Sequence, residues 1–156
     1  MANFIFNVAK GRHIEFFERV RTSDPTNAQL VLVMLQTAEA DATLIDYDDL
    51  ATLLAAPGNV EADFTNYARV TYGSGDVAAT VVNDTLDKRT GALPLKSIAS
   101  AGGTLDNTLA KSILCYDPDS TGGTDANLVP IAAYDTVVTT NGQTLNIPAA
   151  TVIESA

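Results

Sequence analysis

The sequence predicts a mainly β fold of the α+β kind, an antiparallel β-sandwich or jelly-roll-like barrel with two short helices in the N-terminal half. Three observations predict it. From Asn66 onward Thr, Val, Ala and Tyr dominate, and turn residues return every eight to twelve positions, the spacing of a sandwich or barrel. Leu30 to Leu35 is an apolar run of strand length, with no polar position. Helical periodicity is confined to two stretches ahead of that β-rich region.

Phe4 to Val8 nearly alternates and reads as an opening strand. Ile14, Phe16, Phe17 and Val20 then recur at spacings of three and four, with Glu15 four residues before Arg19, which favours a short amphipathic helix. Asp24-Pro25 ends it, because the residue before a proline is pushed out of the helical region. The run from Leu30 to Leu35 reads as a strand covered on both faces. Asp46 reads as a helix cap with Asp48 and Asp49 in the first turn, where carboxylates meet the positive end of the helix dipole. Tyr47, Leu50, Leu53 and Leu54 then share one face, and Pro57-Gly58 stops the helix.

The expected strands that follow are Tyr67 to Tyr72, Val77 to Asn83, Leu93 to Ala99, Lys111 to Tyr116 and Leu128 to Ala133. A closing hairpin is expected from Tyr134 to Thr140 and Gln143 to Ile147, because Asn141-Gly142 between them suits the two positive φ angles of a type I′ turn. Gly73-Ser74-Gly75, Ala101-Gly102-Gly103 and Thr121-Gly122-Gly123 mark loops. The 156 residues make about one ordinary domain. No linker or repeat divides them, so 1–156 is read as a single domain, with 1–8 as a candidate N-terminal arm.

Composition excludes several classes. Hydrophobic residues make up 46% and charged residues 18%, enough apolar side chains for a real core. Nine Lys and Arg against nineteen Asp and Glu give a net charge of −10, which argues against nucleic acid and against anionic membrane surfaces as partners. The charge is uneven. Residues 10–21 carry +2, residues 22–68 carry −8 with no base, residues 69–111 carry +1 and residues 112–156 carry −5. Met1 to Lys10 has no basic leader followed by a long apolar run, so neither a signal peptide nor an anchor is expected. A soluble protein made in a reducing compartment is the reading that remains.

Motifs for chemistry are sparse. Cys115 is the only cysteine and His13 the only histidine. No internal disulfide and no paired-cysteine metal or redox site can form. Cys115 reads as an inert thiol in a strand and His13 as a surface imidazole, so a Cys-His pair is not expected. Glu39, Asp41, Asp46, Asp48 and Asp49 contain enough carboxylates for acid–base work, yet three of them are explained by the helix start. Asp117, Asp119, Thr121, Gly122 and Asp125 fall at positions 1, 3, 5, 6 and 9 of a calcium-loop pattern. Position 12 is Leu128, and flanking helices are not expected, so an Asx-rich turn loop is the reading preferred to a cation site. No catalytic residue, cofactor or metal site is assigned, and the chain is not read as an enzyme.

Four stretches resemble a family of small virion structural proteins of tailed bacteriophages: Asn7-Val8-Ala9-Lys10-Gly11-Arg12, Glu39-Ala40-Asp41-Ala42-Thr43-Leu44 with Asp46-Tyr47, Phe64-Thr65-Asn66-Tyr67-Ala68-Arg69, and Tyr116 through Asp125. The resemblance implies a capsid decoration, or cement, protein that binds the outer face of the major capsid protein lattice and stabilises the mature head. It also implies a small homo-oligomer, a dimer or trimer, located on the virion surface after synthesis in the host cytoplasm. A tail or head-to-tail connector component is the alternative, and a metal-dependent enzyme using the Asp117 to Asp125 loop is a third. Lys10, Arg12, Arg19 and Arg21 are the candidate partner contacts, and an extended Met1 to Val8 arm adding a strand to a neighbour is another.

Overall fold

The computed structural model describes residues 4–85 and 87–155, with residues 150–155 through their backbone alone. The fold is mainly β with antiparallel pairing throughout, in the sandwich-like α+β arrangement that the strand spacing predicts. At its centre lie β2 (Gln29–Thr37) and β8 (Thr108–Asp117), paired from Gln29↔Asp117 to Leu35↔Lys111. β9 (Val129–Thr139) flanks β8, and β1 (Phe4–Ile5) closes that side. Short β3 (Val60–Glu61) and β4 (Val70–Tyr72) both pair with β2.

Alternation along β2 places Leu30, Leu32 and Met34 on one face and Val31, Val33 and Leu35 on the other, and all six are buried. Each face packs its own core, as a run without polar positions requires. On the first face lies α1 (His13–Thr22), bringing Phe16, Phe17 and Val20. Its Glu15–Arg19 pair forms as its spacing predicts. It ends at Ser23, which adopts a left-handed φ of 54°, just before Asp24-Pro25. On the second face lie α3 (Leu50–Ala55), with Leu50 and Leu53, and Leu44 of the single turn α2 (Asp41–Leu44). Among the described residues three α-helices are therefore present where two were expected. The cap of α3 is Asp49, whose Oδ1 accepts the Thr52 N–H at 2.8 Å; Asp46 instead accepts a hydrogen bond from the Asn7 side chain.

The remaining strands form one long bent ribbon. β6 (Lys88–Leu93) and β7 (Lys96–Ala101) run as one arm; β10 (Gln143–Ile147) and β11 (Ala150–Ser155) run as the other. β7 pairs with β10 and β6 with β11 in nearly constant register, from Gln143↔Ala101 through Ile147↔Lys96 and Ala150↔Leu93 to Ser155↔Arg89. Both arms break at the same level, at Pro94-Leu95 and Pro148-Ala149. Prolines remove the ladder donors there and bend the ribbon. β5 (Val81–Asn83) adds to the outer edge of β6. The ribbon packs over the first core through Leu93, Ile98 and Ala101. Where α1 crosses β6, a Cβ on Gly91 would sit 2.6 Å from the Phe17 ring, so glycine there permits the close approach.

This ribbon overturns the expected closing hairpin. β9 and β10 do not pair with each other: β9 continues the six-stranded sheet, and β10 crosses to β7. Only Gly142 of the Asn141-Gly142 pair takes a positive φ, 82°, so the type I′ turn is not made. The Gly142 N–H donates to the Ala101 carbonyl at 2.8 Å, and Thr140 N–H donates to Asn107. Pairing with a distant strand outweighs the local turn preference. The other strand expectations shift similarly. Phe4 to Val8 becomes a two-residue strand followed by a 3₁₀ turn at Asn7–Ala9. Tyr67 to Tyr72 and Val77 to Asn83 shorten to their last three residues, Leu93 to Ala99 divides at Pro94, and Leu128 to Ala133 merges into β9.

Candidate functional site

The four candidate partner contacts lie in and just before α1. Arg12 and Arg19 both hold Glu15, at 3.2 and 2.8 Å, and Arg21 holds Glu18 at 2.6 Å. Lys10 donates to the Asn7 side-chain oxygen at 2.6 Å. Arg12 and Arg19 keep the Glu15 carboxyl below its ordinary pKa, and the Thr80 hydroxyl, with Arg21, does the same for Glu18. Three of the four bases are thus paired with the two glutamates of the same stretch, and its net charge stays +2. Phe4 and Ile5 place their strand on β9 of their own chain, and Phe6 is fully buried. From Phe4 to Val8 the candidate arm is therefore used internally, and its residues 1–3 lie outside the described residues.

The first acidic cluster is dispersed by the fold. Glu39 accepts from the Tyr47 hydroxyl at 2.7 Å and from Asn59 at 2.9 Å. Asp41 meets buried Lys111 at 2.7 Å, and Asp135 meets the same ammonium at 2.6 Å. Burial works against the Lys111 charge, but the two carboxylates outweigh it and raise its pKa.

The Asp117 to Asp125 loop is tied by its own hydrogen bonds. Asp117 accepts from Asp119 N–H and from Gln29, each at 3.0 Å. Asp119 accepts from the Thr121 hydroxyl and N–H, which lowers its pKa, while Asn27 donates to the Thr121 hydroxyl. Asp125 is turned to Arg69, and Leu128, at position 12 of the calcium pattern, is buried in the second core. Among the described residues no cluster of three or more His, Cys, Asp and Glu is placed to hold a metal ion.

Cys115 is fully buried, and burial raises its thiol pKa, so the thiolate is disfavoured. His13 is buried as well, which corrects its reading as a surface imidazole: it shares the inward side of α1 with Phe16 and Phe17. Neither of its ring nitrogens has a hydrogen-bond partner among the described residues. The six-stranded sheet stands between α1 and the second core, where Cys115 packs, so the two side chains do not form a pair.

Sequence reasoning missed a polar cluster centred on Arg69. Arg69 donates through Nε and Nη2 to both oxygens of Glu61, each at 2.8 Å, and through Nη1 and Nη2 to both oxygens of Asp125. Tyr67 adds a hydrogen bond to Glu61 at 2.8 Å and accepts the Met34 N–H. The arrangement clamps the acidic loop to β3 and, through Tyr67, to β2. The only sequence signal was a lone arginine following forty-seven residues without a base.

The ribbon presents an unusual edge. Val81 and Val82 of β5 point to opposite faces, yet are 62% and 60% exposed, so neither face of this edge strand is covered. β5 pairs with β6 on one side alone among the described strands. No family model, curated protein or solved structure matches the chain. No helix among the described residues is long and apolar enough to cross a membrane.

Proposed function

We propose that this chain is a bacteriophage capsid decoration protein that binds the outer surface of the major capsid protein lattice and stabilises the mature head. The resemblance of its four stretches to tailed-phage virion proteins carries the reading. The β5 edge supports it: adjacent valines exposed on both faces of a one-sided edge strand are the surface that gains most from a neighbour's strand or apolar patch. The lattice would be met by a homo-oligomer, because repeated symmetry axes favour symmetric binders. The net charge of −10 supports a protein rather than nucleic acid as the direct partner.

Particles with and without the protein test this directly. Heating is expected to release DNA from the deficient particles at a lower temperature, and adding back purified protein is expected to restore the difference. The double variant Val81→Asp, Val82→Asp is expected to fold and to bind the shell at least about tenfold more weakly, a loss of roughly 1.4 kcal/mol. Equal heat resistance with and without the protein would overturn the stabilising role. A copy number of a few per particle would instead mark a connector or tail component.

A further inference from the structure

We propose that Asn141 is a site of spontaneous covalent modification, deamidation through a cyclic imide with the Gly142 nitrogen, and that the pairing of β10 with β7 sets its rate. Asparagine is a thermolabile residue, and the reaction is fastest where the following residue has no side chain to obstruct ring closure. Asn141 is the only asparagine of the chain followed by glycine. It is also exposed, and its Oδ1 accepts the Gln143 N–H at 3.2 Å, an Asx turn that folds the side chain back over the next peptide. That hydrogen bond draws electron density from Cγ, the atom to be attacked.

The attacking atom is held by the ribbon. The Gly142 N–H donates to the Ala101 carbonyl at 2.8 Å, so the nitrogen must leave that bond before it can lose its proton to solvent and turn to Cγ. Local opening is enough to release it, because Gln143↔Ala101 is the last pair of the β7–β10 ladder and the register shifts between it and Leu145↔Ile98. Once free, the nitrogen forms a bond to Cγ, the Cγ–Nδ2 bond breaks, and ammonia leaves with the proton. Water then opens the imide at either carbonyl. One product is an aspartyl residue with the main chain intact; the other is an isoaspartyl link that runs the main chain through Cγ and adds one carbon to it. Either product makes the chain more acidic than its present −10, and the longer link displaces the Gly142 N–H from Ala101.

To test this, the full chain is incubated in mildly alkaline buffer, folded and in urea, and conversion is followed by peptide mapping with fragmentation that separates aspartyl from isoaspartyl products. Asn141 is expected to convert ahead of every other asparagine in both states, and about tenfold more slowly in the folded chain. Leu145, which pairs with Ile98 and packs on the first core, holds the ladder beyond the register shift. Leu145→Ala, or Leu145→Val should alanine leave the chain unfolded by circular dichroism, is expected to raise the folded rate severalfold and to leave the rate in urea unchanged. Conversion led by another asparagine, or none at Asn141 in the folded chain over about a hundred half-lives of the unfolded one, overturns the site. Equal rates in the folded and unfolded chains, or a folded Leu145 variant that converts no faster, overturn the control exerted by β7 and β10.

Discussion

Arg69 shows how one side chain can organise a surface that would otherwise repel itself. Glu61 and Asp125 approach the same guanidinium from β3 and from the acidic loop, and each is held through two hydrogen bonds. All three groups remain partly solvated, so the cost of losing the arginine lies well below that of a dry ion pair. Arg69→Gln is expected to lower stability by about 1–3 kcal/mol at neutral pH, measured by urea unfolding. The pH dependence follows from Asp125. Arg69 depresses its pKa below the ordinary 3.8 in the folded state, so the stabilisation is complete above about pH 4 and is lost as pH falls through the depressed value. In Arg69→Gln this part of the acid limb should vanish. An unchanged slope between pH 4 and pH 2 would show that the pair contributes nothing.

At the scale of elements, the cap of α3 gives the sharpest contrast. Three aspartates precede the helix, and only Asp49 accepts from the N–H three residues on. Asp49→Ala is therefore expected to cost about 1 kcal/mol, and Asp48→Ala almost nothing; equal losses in thermal unfolding would refute the assignment. The amphipathic spacing of α1 and the two-sided run of β2 were legible because their signals are local: side chains three or four apart, or an unbroken apolar stretch, report burial directly. The ribbon was not. Its pairing joins residues 88–101 to 143–155, and no local window shows which distant strand will offer the better ladder. Asn141-Gly142 carried a true turn signal that the longer-range partner overrode. The same limit hid the site features: Arg69 acquires its meaning from Asp125, which no local window pairs with it.

The whole molecule has a gradient of order running outward from β2 and β8. These two strands are bonded on both sides and buried on both faces, whereas β5 is bonded on one side with its valines in solvent. Amide hydrogen exchange is expected to be slower in Val31–Leu35 than in Val81–Asn83 by at least about a hundredfold. Comparable rates would mean that the ribbon and sheet open as one unit. The two-faced burial of β2 also bears on how the chain avoids misassembly. A shift of one residue along β8 would exchange every side chain between the two cores, and for Leu30 to Leu35 both sets are apolar, so water would raise no objection. Shape differs between the faces, with Val31 and Val33 opposed to Leu32 and Met34, but the polar ends are more exacting. Gln29 reaches the Asp117 carboxylate at 3.0 Å and Gln36 the Glu61 carbonyl at 3.1 Å. A slip along β8 in either direction would break the first bond, and a slip along β3 would break the second. The two glutamines act as address labels at the ends of a stretch that hydrophobicity alone would let slide.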